Sequence, residues 1–148
     1  MINYVYQLIA PRTITVKYKD VDTAAGNVII RPEYLSICHA DQRYYKGERD
    51  AAVLKKKLPM ALIHEAMGRV VHDPSGTFKK GEKVVMIPNV PGTPKDGVYS
   101  NYLRDSRFLS SGSDGFMREL VDLPADRVVS CEGIEPKLAA ISEFISVA

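Results

Sequence analysis

The chain has 148 residues, 45% of them hydrophobic and 26% charged, the proportions of one ordinary water-soluble domain with a sizeable core. Its 20 lysines and arginines against 18 aspartates and glutamates are too evenly balanced to suggest nucleic acid or an anionic membrane as the main partner, and leave a small anionic ligand open. Two cysteines, Cys38 and Cys131, argue against a disulfide framework and fit a reducing cytoplasm, and neither a secretion signal nor a run of roughly 18 apolar residues is present.

In chain order, short β-type runs fall at residues 4–9, 14–18, 27–35, 68–72, 83–87, 116–121 and 127–129, which predicts a mainly β fold, a small irregular barrel or sandwich. Turn signals separate them at Ala25-Gly26-Asn27, Asp73-Pro74-Ser75-Gly76 and Ser113-Asp114-Gly115, where glycine supplies positive φ and proline stops a ladder. Residues 89–113 are expected to form a long surface lobe, and Lys55-Lys56-Lys57 an exposed loop. Only residues 135–148 look helical over any length: Pro136 suits a first turn, and Leu138, Ile141, Ile145 and Ala148 recur on one face. That pattern has no glycine cap and no basic last turn, so a domain over 1–134 is expected to lead into an interrupted helix over 135–148.

Three segments carry metal-ligand chemistry: Cys38-His39-Ala40-Asp41, His64-Glu65 and Ser142-Glu143. A thiolate, an imidazole and a carboxylate are acceptable zinc ligands, and three protein ligands leave the fourth position open for water or substrate, as catalysis needs. On the residues alone, a cysteine after an apolar strand reads equally as a small buried hydrophobe, and His-Glu is a common dipeptide.

Five blocks in order make the pattern specific. Ile63-His64-Glu65-Ala66-Met67-Gly68 resembles the Gly-His-Glu-x-x-Gly signature of medium-chain zinc-dependent alcohol dehydrogenases, with the first glycine replaced. Ile37-Cys38-His39-Ala40-Asp41 is similar to the family's strand-end cysteine with an aspartate three residues on, and Phe78-Lys79-Lys80-Gly81-Glu82-Lys83-Val84 to its Phe-x-x-Gly-Asp-x-Val turn. Asp114-Gly115-Phe116-Met117-Arg118-Glu119-Leu120-Val121 resembles its Gly-Gly-Phe-Ala-Glu-Tyr-Val strand, and the segment from Ala139 to Ala148 a polyol-dehydrogenase stretch whose glutamate binds zinc. The resemblance implies a GroES-like irregular β-barrel with short helices and a C-terminal helix. It implies Cys38, His64 and Glu143 as zinc ligands, with Glu65 an exchanging or outer ligand and catalytic group. Asp41 is implied either to orient His64 or to anchor its loop, or is simply a turn former. His39 is either a contact to cofactor phosphates or a surface histidine.

Two departures from the family stand out. Ala40 occupies the place where many relatives have a serine or threonine that relays a proton, so the proton must pass through Glu65, a water, Tyr44 or a substrate hydroxyl. The four clustered cysteines of the family's second, structural zinc are absent, so one catalytic zinc and no structural zinc are expected.

Three longer phrases, around Cys38, around His64 and over residues 109–117, resemble more closely the ribulose-5-phosphate reductases, also called ribitol-5-phosphate dehydrogenases, of CDP-ribitol pathways. That resemblance implies reduction of D-ribulose 5-phosphate to D-ribitol 5-phosphate with NADPH. It also leaves room for a homo-oligomer or a cytidylyltransferase partner. Arg43, Tyr44 and Lys46 are then candidates to bind the phosphorylated sugar, the charges otherwise being solvated. No Gly-x-Gly-x-x-Gly turn occurs, so the nucleotide-binding Rossmann domain is expected to lie outside this chain, which alone should not turn over. The competing readings are a metal-free reductase relative and a stand-alone GroES-like binding module.

Overall fold

The computed structural model describes residues 1–93, 97 and 103–147. Strands β1 (Ile2–Ala10) and β2 (Thr13–Asp20) pair antiparallel, and the other edge of β1 takes up the short β4 (Met60–Ala61). A second, five-stranded sheet has at its centre β5 (Glu65–His72), flanked by β3 (Val28–Ser36) and β6 (Lys83–Met86). Its edges are β9 (Val121–Leu123), beside β3, and β10 (Val128–Ser130), beside β6. The core fills the space between the sheets with Leu8, Val28, Ile30, Met60, Ala66, Val84, Phe116 and Val121, each fully buried. The mainly β, GroES-like expectation is thus met, with strands where branched residues alternate.

Several local expectations are corrected. Residues 116–120 form no regular strand: they touch β1 at one bridge, Val5 to Arg118, because the Arg118 amide donates to Phe116 O at 2.7 Å and closes a three-residue turn. The continuous helix over 135–148 is replaced by α3 (Pro136–Ala140) and a 3-10 segment, Ser142–Val147; Ala148 lies outside the described residues. Ser142 Oγ donates to Ala139 O at 2.8 Å, a side-chain bond that competes with the helical ladder. The buried face is not the expected one. Ala139 and Ala140 pack against Met67 and Cys131, whereas Leu138, Ile141 and Ile145 are exposed.

Two helices arise where none was expected, α1 (His39–Lys46) and α2 (Ala51–Lys57). Their signals are caps rather than apolar stripes: Gly47 ends α1 in the left-handed conformation, and the Asp50 carboxylate accepts from the Ala52 amide at 2.8 Å. Lys55, Lys56 and Lys57 are therefore the last turn of a helix, where lysines suit the dipole, and not a loop. Of the lobe expected over 89–113, β7 (Asn89–Val90) pairs with β8 (Arg107–Phe108), while 94–96 and 98–102 lie outside the described residues. No helix among the described residues is long and apolar enough to cross a membrane.

Candidate metal centre

Pairing of β3 with β5 assembles the site. Their antiparallel register sets Ser36 opposite Glu65, so Cys38, two residues past one strand end, meets His64 and Glu65 at the start of the other. Ligand atoms of Cys38, His64 and Glu65 all lie within 4.8 Å of one another. Gly68 keeps the strand pair close, since a Cβ there would run into Arg31 O.

The local backbone is tied down around this cluster. Cys38 is the N-cap of α1 and forms a capping box with Asp41, whose Oδ2 accepts from the Cys38 amide at 3.1 Å. The other oxygen of Asp41 accepts from the Ile63 amide at 2.9 Å. Ile63 has φ 72, a costly conformation for a β-branched residue, and Phe116 secures it from the far side by donating its amide to Ile63 O at 2.7 Å. This twist directly precedes His64. His64 Nδ1 lies 2.9 Å from Ser110 Oγ, and the Phe108 ring stands edge-on to the imidazole with centroids 5.3 Å apart. With Nδ1 held by Ser110, Nε2 is the nitrogen left for a ligand.

Burial shapes the chemistry. Burial is the main cause that pushes the Cys38 thiol up to about 11, with the Asp41 carboxylate adding to it, so the free cysteine is a thiol at neutral pH. Glu65 is 6% exposed, and among the described residues its ion-pair neighbour is His64 Nε2 at 4.0 Å. A buried carboxylate beside a thiol and an imidazole, with no lysine or arginine paired to it among the described residues, is costly unless a cation joins the group. A sulfur, nitrogen and oxygen donor set at these separations fits zinc with bonds of about 2.0–2.3 Å.

The remaining candidates are placed differently. Glu143 is not in the cluster: it lines a groove of about 580 Å³ that Phe108 also borders, and Ser146 Oγ lies 3.5 Å from its carboxylate. Tyr44, offered as a substrate or proton-relay group, is packed into the core at 6% exposure, with the Arg49 guanidinium over its ring. Arg43 donates through Nε and a terminal nitrogen to Glu48 O at 3.4 and 3.3 Å, tying down the end of α1. His39 and Lys46 are exposed at the two ends of α1. Of the roles offered for Asp41, the geometry selects the loop anchor. Ser110, which holds His64, had no signal in the sequence.

Residues 24–133 match the alcohol dehydrogenase GroES-like domain. The chain belongs to that family. It is 55% identical over 149 residues to the ribulose-5-phosphate reductase of Streptococcus pneumoniae, covering 99% of this chain and 43% of that protein. It is 50% identical to the ribulose-5-phosphate reductase of Bacillus spizizenii, of which it covers 44%. Among solved structures, Staphylococcus aureus TarJ in complex with NADPH is similar with a TM-score of 0.77 and 43% identity, covering 99% of this chain and 39% of TarJ. L-idonate 5-dehydrogenase of Escherichia coli shares the fold, with a TM-score of 0.85 at 22% identity and 45% of its chain covered. This member of the alcohol dehydrogenase family thus spans less than half the length of the reductases it matches.

Proposed function

We propose that this chain is the catalytic portion, over residues 1–134, of a longer reductase that converts D-ribulose 5-phosphate to D-ribitol 5-phosphate with NADPH, residues 135–148 leading toward its nucleotide-binding part. The observation that carries the reading is the buried Cys38, His64 and Glu65 cluster, found in a chain 50% or more identical to ribulose-5-phosphate reductases.

In this reading Cys38 and His64 would hold one zinc ion, with Glu65 as the adjoining carboxylate that could serve as an outer or exchanging ligand. No structural zinc accompanies it. Zinc supplies Lewis-acid polarisation of the substrate carbonyl, and the nicotinamide supplies hydride. The chain's own residues do the positioning. Ser110 holds Nδ1 of the imidazole, Asp41 and Phe116 hold the strained Ile63 turn that aims His64, and Phe108 packs edge-on against the ring. Glu65, when free, is the group inside the cluster placed to hold a proton, a task closed to Ala40 and to the core-packed Tyr44. Glu143 is a further ligand in this reading only if its segment moves toward the cluster it now stands outside. His39, at the exposed start of α1, is assigned to the cofactor side. The product's consumption by cytidylyl transfer, and a cytoplasmic setting, belong to the same proposal.

The test is elemental analysis of the purified chain with Cys38→Ala as control, joined to an assay of the longer enzyme with D-ribulose 5-phosphate and NADPH. Near-stoichiometric zinc, lost in the variant, and substrate-dependent NADPH consumption are expected. Turnover without zinc would select the metal-free reductase, and neither zinc nor turnover would select a binding module.

A further inference from the structure

Beside the candidate metal centre lies a cavity of about 340 Å³ whose walls include Lys57, Asn89, Arg107, Phe108, Ser111 and Ser113. Among the described residues no carboxylate lines it. Lys57, at the end of α2, is held in place: its Nζ donates to Ser111 O at 2.8 Å and approaches Ser111 Oγ at 3.3 Å, while its stem lies against Gly112. An ammonium has three donors, so one remains for a ligand. The side chain of Arg107, which stands opposite Val90 in the β7–β8 pair, has no hydrogen-bond or ion-pair partner among the described residues.

A neighbouring cavity of about 460 Å³ shows what satisfied charges look like in this fold. Arg107 reaches its wall too, but the other cations there are paired, Lys19 with Asp114 and Arg118 with Asp122. The smaller cavity instead gathers two cations and four further polar side chains, Asn89, Ser106, Ser111 and Ser113, with no anion among the described residues that line it. Such a set is complementary to a dianion that takes a bidentate guanidinium fork, an ammonium and hydroxyl donors. Its position is equally specific. Phe108 forms both a wall of the cavity and the edge-on partner of His64, and Ser110, the residue before Ser111, holds His64 Nδ1. Phe108 and the Ser110-Ser111 segment therefore join the anion-seeking cavity to the metal-ligand cluster.

We propose that Arg107 and Lys57 bind the phosphate of the phosphorylated sugar and so set the enzyme's preference for phosphorylated over free polyols; this rests on the reductase reading above. Arg43 and Lys46 are not needed for that task. The phosphate could come instead from the dinucleotide, and the test separates the two sources.

The zinc-loaded full chain is titrated with ribitol 5-phosphate, ribitol, and adenosine 2′,5′-bisphosphate as a stand-in for the cofactor phosphates. The native chain is expected to bind ribitol 5-phosphate more tightly than ribitol by about ten- to hundredfold, the worth of charge-assisted hydrogen bonds. Arg107→Gln and Lys57→Gln should each cut that gap by about tenfold and leave ribitol and the bisphosphate unaffected; Arg107→Gln, at an exposed position, should also keep the native melting curve. In the longer enzyme the same variants should raise KM for D-ribulose 5-phosphate with kcat nearly kept. No preference for the phosphorylated polyol, an unchanged gap in both variants, or a loss confined to the bisphosphate would overturn the proposal. A preference that depends on Arg107 in an enzyme that does not oxidise NADPH would leave the phosphate site standing and remove the reductase reading.

Discussion

The Asp41 carboxylate accepts the amide of Ile63 at 2.9 Å across 22 residues of chain, while its second oxygen caps Cys38. One buried side chain thus fixes both arms of the metal-ligand cluster. In Asp41→Asn only one of these amides keeps an acceptor, because the introduced NH2 faces the other donor. Leaving a buried N–H unsatisfied costs about 1–3 kcal/mol, so the variant should lose that much in urea unfolding. A loss below about 0.5 kcal/mol would show that the Ile63 turn holds itself.

Ser110→Ala tests the imidazole clamp. It removes the partner of His64 Nδ1 but keeps the small side chain volume. Zinc affinity, measured by competition with a chromophoric chelator, should fall about 10–100-fold, with the unfolding midpoint moved far less than in Asp41→Asn. Unchanged affinity would mean that Phe108 alone orients the ring.

Gly115 lets the loop before Phe116 lie directly on the Leu62-Ile63 backbone. A Cβ there would collide with Ile63 O and Leu62 O, and its amide donates to Ala61 O at 2.8 Å. Gly115→Ala should therefore destabilise by about 1–3 kcal/mol or more through forced backbone displacement. Gly133→Ala is the control: its φ of 82 carries the strain of the left-handed region, but nothing lies within 4 Å of the added atom, so about 1 kcal/mol is expected. Thermal melts of the two variants, compared directly, decide whether contact or conformation dominates at Gly115.

The sequence made the sheet legible where branched residues alternate, as in β1 and β3, and the Cys38, His64 and Glu65 cluster legible through motif order. It hid α1 and α2, because Asp41 and Tyr44 are the buried residues of the first and the second buries none, leaving no apolar stripe to count. The helix face read over Leu138, Ile141 and Ile145 was misleading for a related reason: the small Ala139 and Ala140 approach the sheet closely, and size rather than hydrophobicity decided which face went inward. Ser110 and Arg107 were invisible because their meaning lies in contacts across the fold, Ser110 with His64 being 46 residues distant. No local pattern encodes such a pairing.

Asp114 ties its loop to all three strands of the first sheet, through Lys19 in β2, Gln7 in β1 and Ala61 in β4, and gives the fold a pH dependence of definite sign. Burial alone would raise its pKa, but hydrogen bonds from Lys19, the Ala61 amide and Gln7 outweigh it and hold the carboxyl below its usual value. The Gln7 and Ala61 bonds measure 2.7 and 2.9 Å. A group whose folded pKa is depressed stabilises the fold above its unfolded pKa, and that stability drains away as the pH falls from about 4 through the folded value. Asp114→Asn keeps an acceptor for one amide but gives up the Lys19 pair, whose lysine is 49% exposed; solvent screening limits that loss to roughly 1 kcal/mol or less. Urea unfolding of native and variant chains across the acid range should show the native chain ahead at neutral pH and the two curves converging below about pH 4. A gap that persists undiminished at pH 2, on the order of two units below the usual aspartate value, would mean that the carboxylate's charge contributes nothing and that its geometry alone holds the loops.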